Sequence, residues 1–74
     1  MEYVYVVEDW IDDEIIWVCK TKEQTLNFCK AHIERLYEND WIDTDISLDE
    51  YYKQLEGKGY IEDIVAYSKV RFSN

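Results

Sequence analysis

Hydrophobic and polar positions alternate in three segments of the chain, a pattern typical of β-strands. Residues 2–8 and 14–20 are rich in β-branched and aromatic side chains, and we predict a strand in each. The acidic segment between them suits a hairpin loop. The same alternation continues over residues 60–72. These segments predict a hairpin near the N-terminus and a third strand at the C-terminus.

Two central segments instead show apolar residues at helical spacing. A capping box begins at Thr21 and predicts a helix over about residues 22–38. A second capping box begins at Ser47 and predicts a shorter helix that ends near Gly57 or Gly59. The apolar stripes are Leu26, Cys29, Ile33, Leu36 and Tyr37, then Leu48, Tyr51, Tyr52 and Leu55. The order ββααβ predicts one α+β domain over residues 1–74, with a small three-stranded antiparallel sheet and two helices.

The two faces of this predicted sheet differ in chemistry. We predict a hairpin register that pairs Tyr5 with Trp17. One face of the sheet is then mainly aromatic and carries Tyr3, Tyr5, Trp17, Val65 and Tyr67, with Lys69 and Arg71 at its edge. The aliphatic face then holds Val4, Val6, Ile16 and Val18, with Ile64, Ala66 and Val70. We expect the aliphatic face to pack against the helices. The aromatic face is then either covered by the second helix or the C-terminal tail, or free for a protein partner, a homodimer or stacked bases.

Composition limits the functions that such a domain can have. The net charge of −9 on 74 residues argues against direct binding to nucleic acid or to an anionic membrane, and favours a positively charged partner. Two cysteines are too few for a disulfide scaffold. The sequence contains no apolar run of about 20 residues and no recognisable signal peptide. We therefore expect a cytoplasmic protein.

The negative charge is concentrated in two blocks, each of which contains the string DWID. Residues 1–19 and residues 38–50 each hold six acidic residues and no basic residue. The second strand should rise about 23 Å, and the first helix should return by about 24 Å, so both blocks should meet at the hairpin-loop end. The predicted acidic pole comprises Glu8, Asp9, Trp10, Asp12, Asp13, Glu14, Glu38, Asp40, Trp41, Asp43 and Asp45. In the alternative interpretation these loops are simply solvated, and the two indoles plug the open end of the core.

Catalytic and metal-binding patterns are weak. Residues 43–50 are faintly similar to a calcium loop, but Leu48 stands where that loop requires glycine. His32 could pair with Cys29, yet Cys29 lies on the predicted core stripe, where a buried inert thiol is expected. The sequence shows no zinc-ligand set, phosphate loop or Ser-His-Asp arrangement. We therefore expect a non-enzymatic protein with no cofactor, metal or catalytic residue.

The segments VYVV, IIWV and TKEQ resemble those of short phage- and bacterium-associated modules of the ββα type, over about the first 35 residues. In its small size and acidity the chain also resembles phage-encoded inhibitors of host defence, including anti-CRISPR and anti-restriction proteins, some of which imitate DNA. This resemblance implies a phage protein acting in the host cytoplasm, where it inhibits a basic nucleic-acid-binding enzyme such as a CRISPR effector. The alternative function is a structural or regulatory module that self-associates through Tyr3, Tyr5, Trp17 and Tyr67.

Overall fold

A computed structural model describes residues 2–72 and shows an α+β fold with two helices and a four-stranded antiparallel sheet. The elements are β1 Glu2–Asp9, β2 Glu14–Cys19, α1 Lys22–Glu38, α2 Leu48–Lys58, β3 Tyr60–Ile61 and β4 Val65–Phe72. The strands lie in the order β2-β1-β4-β3. The α+β class and both helices are confirmed, but the predicted strand count of three is wrong. The last predicted strand is split by a turn at Asp63, whose φ is 66°, so its first two residues fold back as β3.

Both helices begin and end as their capping residues require. The Thr21 hydroxyl accepts a hydrogen bond from the Gln24 amide, and the Ser47 hydroxyl accepts one from the Glu50 amide. These bonds satisfy amides that the first helical turn leaves without partners. Helix α2 ends at Gly59, which adopts the left-handed conformation with φ of 84°. The bounds of the helices therefore follow from local capping signals, while the strands need tertiary information.

The hairpin register differs from the predicted one. Tyr5 pairs with Cys19 and Val7 pairs with Trp17, so β2 is shifted by two residues relative to the prediction. A β-bulge then leaves Ile16 without a partner, because the next pair is Glu8 with Ile15. The shift of two keeps Trp17 and Cys19 on the predicted face. The bulge turns Ile16 towards the core and Ile15 away from it.

The helices pack on the aromatic face of the sheet, so the expectation that they cover the aliphatic face is wrong. Trp17 stacks on Phe28 of α1 with ring centroids 4.6 Å apart. The thiol of Cys19, on the same face, contacts the Thr25 hydroxyl at the start of α1. Since α1 follows β2 after only two residues, this contact commits the helix to the face of Cys19. Large rings also bury more apolar area against a helix than valines do.

The core lies between this face and the two helices. Its buried side chains are Val7, Cys29, Ile33, Leu36, Ile42, Tyr51, Leu55, Ile61 and Val65. Both predicted apolar stripes contribute to it, whereas Ile42 comes from the segment between the helices. Within residues 2–72, neither helix is long and apolar enough to span a membrane. The cytoplasmic location stays a prediction.

Candidate functional site

Three loops meet at one end of the molecule. They are the β1–β2 hairpin loop, the segment between α1 and α2, and the turn between β3 and β4. The backbone amide of Trp10 donates to the carbonyl of Ile64 at 2.8 Å, which joins the hairpin loop to the β3–β4 turn. Ile11 of the hairpin loop and Trp41 of the interhelical segment line one cavity. The two DWID strings are therefore brought together at one end, as the strand and helix lengths predict.

The first DWID string closes the hairpin. Asp9 ends β1, and its carboxylate accepts a hydrogen bond from the Ile11 amide at 3.0 Å. This side-chain turn directs the chain out of the strand. Asp13 then adopts a left-handed conformation with φ of 58°, which aspartate tolerates better than most residues.

The second DWID string ends α1. Asp40 has φ of 58°, its amide donates to the Tyr37 carbonyl, and the Trp41 amide donates to the Leu36 carbonyl. These two bonds form a Schellman motif with aspartate in the position that glycine usually occupies. Asp43 then accepts a hydrogen bond from the Asp45 amide. The two strings are identical in sequence but differ in backbone structure, so they are not copies of one structural unit.

A cavity of about 340 Å³ opens between the three loops. Its volume falls in the range of small ligand-binding or side-chain-binding pockets. Apolar side chains from five segments form its lining: Ile11, Trp41, Ile42, Ile46, Tyr51, Ile61 and Ile64. The polar lining residues are Asp43, Gln54, Glu62 and Asp63. The cavity is therefore an apolar hollow bordered by exposed carboxylates.

We define the acidic pole as the exposed carboxylates of the three loops and their flanks. Its members are Glu8, Asp12, Asp13, Glu14, Glu38, Asp40, Asp43, Asp45, Glu62 and Asp63, all exposed. These segments contain no lysine or arginine, so nothing within them neutralises the charge. Like charges at this density repel each other and cost folding free energy, a cost that a cationic partner would relieve.

The structure separates the two tryptophans of the predicted site. Trp41 is 69% exposed beside the cavity. Trp10 does not line the cavity; its ring lies 5.9 Å from the Tyr60 ring, on the opposite face of the sheet. The alternative in which both indoles plug the core does not describe Trp41. Ile42 performs that role in the second string.

Asp9 is the one member of the predicted pole that is not at the surface. It is only 5% exposed, and its carboxylate lies 4.0 Å from Nε2 of the buried His32. Its placement in a charged contact surface was therefore wrong, because its position on β1 faces the helices. Asp9 instead shapes the loop and lies against α1.

His32 is held neutral beneath the pole. Arg35 donates to its Nδ1 at 3.1 Å, since a guanidinium has no acceptor, and this leaves the ring proton on Nε2, towards Asp9. Burial lowers the pKa of His32 below its ordinary value; the Asp9 charge opposes this shift, and the Arg35 charge reinforces it. His32 therefore adds packing to this region at neutral pH and no positive charge.

The residues of the alternative interface are mostly used within the fold. Trp17 packs on Phe28, and Tyr67 is half-buried against the core. Tyr5 is half-buried, with its ring 6.4 Å from that of Tyr67. Tyr3 is exposed and lies under the Lys69 ammonium at 4.5 Å. Trp17 nevertheless remains 46% exposed and Tyr3 45% exposed, so this face is partly occupied by α1 and the core, and self-association through it stays a prediction.

Two groups considered for covalent or metal chemistry, Cys29 and Ser47, lie in structural positions. Burial raises the pKa of Cys29 to about 12, so its thiol stays protonated and unreactive. Within residues 2–72, no three His, Cys, Asp or Glu side chains are arranged to hold a metal ion. The hydroxyl of Ser47, in the segment similar to a calcium loop, caps α2 instead.

Sequence reasoning missed the third loop of the site. Glu62 and Asp63 were assigned to the first part of a continuous strand over residues 60–72, but they form the β3–β4 turn and border the cavity. The string IEDI, residues 61–64, has two acidic residues between two isoleucines. It therefore combines acidic and apolar residues, as the two DWID strings do. Such a short similarity does not predict a turn, so the sequence carried no specific signal for this loop.

The chain matches no protein-family model, no curated protein and no solved structure. The likeness to phage-associated modules and inhibitors therefore stays an expectation from the sequence. Function has to be inferred from the geometry and charge of the acidic pole and its cavity.

Proposed function

We propose that this chain is a non-enzymatic binding module whose acidic pole docks on a basic protein surface. The observation that carries the proposal is the cavity of about 340 Å³ with an apolar lining and a carboxylate border. An apolar side chain of the partner would enter the cavity, while neighbouring arginines and lysines pair with the carboxylates. Trp41 would cover the bound side chain from the rim.

A basic protein suits this site better than nucleic acid does. Every charged side chain in the three loops is a carboxylate, and phosphates would be repelled by all of them. Carboxylates can instead replace phosphates as partners for arginine and lysine. The surfaces richest in those cations are the grooves of nucleic-acid-binding proteins.

The biological form that we propose is inhibition of a host nucleic-acid enzyme, such as a CRISPR effector, by a phage-encoded DNA mimic. The pole would occupy part of the cationic groove and exclude the nucleic acid. Support comes from the localisation of the charge, since net charge for solubility alone is better served by dispersed charge.

The docking step can be tested with a synthetic peptide that has a central leucine flanked by arginines. We expect this peptide to shift the indole NMR resonance of Trp41 and the amide resonances of the three loops, with affinity that falls as salt rises. Replacing the leucine by glycine should weaken binding by roughly tenfold, the effect of about 1.4 kcal/mol of lost apolar contact. Equal affinity for the two peptides would show that the cavity takes no part.

The charge requirement can be tested with the variant in which Asp12, Asp13, Asp40 and Asp43 become asparagine. Asparagine tolerates the left-handed conformation at Asp13 and Asp40, so the loops should keep their shape. The matched control replaces Glu23, Glu34, Glu50 and Glu56 by glutamine, which also changes the net charge from −9 to −5 (−9 + 4). The pole variant should lose peptide binding and the control should keep it.

Inhibition itself can be measured as RNA-guided DNA cleavage by a set of CRISPR effectors with the native chain in excess. We expect cleavage by a susceptible effector to fall with the native chain and with the control variant, but not with the pole variant. Uninhibited cleavage by every effector, combined with full peptide binding, would refute the inhibitory role while leaving the docking surface intact.

A further inference from the structure

The sheet face opposite the helices is apolar and uncovered. We call it the valine face and define it by Val4, Val6, Ile15, Val18, Ala66 and Val70. The pairings of Val6 with Val18 and Ser68, of Val4 with Val70, and of Glu8 with Ile15 and Ala66 place them together. Ile15 is 63% exposed and Val18 is 56% exposed. Both helices lie on the other side of the sheet, and the Trp10–Tyr60 ring pair borders this face at its Ala66 end, so within residues 2–72 no helix covers the valines.

The valine face has an unusual charge balance for this chain. Charged residues make up 34% of the sequence. On this face, however, the β1 residues from Val4 to Glu8 and their partners on β2 and β4 include a single charged side chain. That charge is Glu8 itself, at the end nearest the acidic pole. A basic partner would find no carboxylates along the valines and would bury its own charges unpaired, which is costly. The face therefore fits a partner surface that is flat, apolar and uncharged.

A second copy of the same face meets that requirement. We propose that the valine face joins two copies of this chain in a two-fold, face-to-face sheet dimer. An isologous contact needs a self-complementary surface, and a flat patch of β-branched side chains can pack on itself at the usual spacing of about 10 Å between sheets. Such a dimer does not depend on what the acidic pole binds.

The dimensions and the overall charge fix the arrangement. β1 and β4 have eight residues each and β2 has six, so these three strands present a face of roughly 27 by 14 Å. Two copies would bury roughly 800 Å², the size of a weak, transient interface. If the two-fold axis lies in the interface plane and runs perpendicular to the strands, the strands of the two copies point in opposite directions. The two acidic poles then lie at opposite ends of the dimer. The protein is 44 Å long, and charges separated by much more than the Debye length of about 8 Å are screened. The dimer thus buries its apolar faces without joining its acidic ends.

The test is sedimentation equilibrium of the native chain up to about 1 mM, with NMR of the same samples. We expect the average mass to rise from 9.0 kDa towards twice that value, and to rise further at high salt, because salt screens the residual repulsion. Concentration-dependent amide shifts should centre on β1, β2 and β4 at the valine face. A chain that stays monomeric at 1 mM, or whose shifts lie at the three loops, would overturn the proposal.

The variant that combines Val18→Glu with Val70→Glu should stay monomeric. Both side chains are exposed in the protomer, so the fold should survive, as far-UV circular dichroism can verify. The control that combines Gln24→Glu with Ala31→Glu adds the same charge at exposed helical positions and should dimerise like the native chain. Undiminished dimerisation of the valine variant would contradict the interface, whatever the peptide experiment shows about the pole.

Discussion

At the scale of single residues, neighbouring side chains of the second DWID string have opposite roles. Ile42 is buried in the core, while Trp41 is exposed at the cavity. We expect Ile42→Ala to lower the free energy of unfolding by about 2–5 kcal/mol, because it leaves a void among packed side chains. Trp41→Ala should change it by less than about 0.5 kcal/mol and instead weaken binding of the arginine–leucine peptide. Urea unfolding of both variants measures these two changes. A large loss of stability in Trp41→Ala would show that the indole is part of the core.

A second residue-scale prediction concerns His32 and pH. Its pKa in the folded chain lies below the ordinary value of 6.5, so the unfolded chain takes up the proton first as pH falls. The stability contributed by neutral His32 is complete above pH 6.5 and is lost as pH falls through that value towards the lowered pKa. His32→Gln should therefore reduce the loss of stability between pH 7 and pH 5. Parallel stability curves for the two chains, or an NMR titration of His32 with its midpoint above 6.5, would contradict this.

At the scale of elements, two glycines near the end of α2 have different conformational requirements. Gly59 has φ of 84°, whereas Gly57 lies within the helix, where an added β-carbon would meet nothing within 4 Å. Gly59→Ala should cost about 1–2 kcal/mol, because an L-residue is strained in the left-handed region. Gly57→Ala should stabilise by about 0.5–1 kcal/mol, because alanine loses less backbone entropy. Thermal unfolding of both variants measures the two changes in melting temperature. Equal shifts in the same direction would show that α2 does not require a left-handed residue at Gly59.

The helices could be predicted from the sequence because their determinants are local. Thr21 and Ser47 cap amides within their own first turns, and the apolar stripes need only helical periodicity. The hairpin register could not be predicted in the same way. It depends on a bulge at Ile16, which moves two side chains to opposite faces and has no local sequence signal.

The choice of sheet face shows the same limit. The members of each face could be largely deduced from alternation, but alternation does not say which face the helices cover. That choice follows from the contact between Cys19 and Thr25 and from the stacking of Trp17 on Phe28, which are contacts between elements. The meeting of the two DWID strings was predictable, because it needs only the lengths of β2 and α1. The contribution of Glu62 to the cavity could not be predicted, because it depends on the turn between β3 and β4 that splits the last predicted strand.

At the scale of the whole molecule, the structure keeps two kinds of surface apart. The acidic pole occupies one end, and the valine face extends along the side of the sheet opposite the helices. Association through the pole should weaken with salt, because it depends on opposite charges. Association through the valine face should strengthen with salt, because it depends on apolar burial between chains that repel each other. One salt titration therefore separates the two interactions.

The pole also has a consequence for stability that does not depend on any partner. Its exposed carboxylates repel each other in the folded chain, so the free energy of unfolding of the native chain should rise between about 10 mM and 0.3 M NaCl as the Debye length shortens from about 30 Å to under 8 Å. The variant with asparagine at Asp12, Asp13, Asp40 and Asp43 should be more stable at low salt by roughly 1 kcal/mol, the sum of several like-charge contacts. Its stability should also respond less to salt.

The glutamine control distinguishes local repulsion from total charge. Glu23 and Glu50 lie in the first turns of α1 and α2, and Glu56 pairs with Lys30 at 2.6 Å, so these carboxylates are placed favourably. Their replacement should lower the free energy of unfolding at low salt, even though it removes the same four negative charges as the pole variant does. Chemical denaturation of both variants across the salt range measures the difference. Equal stabilisation of the two would mean that net charge alone sets the effect, and that the carboxylates of the three loops do not act as a cluster.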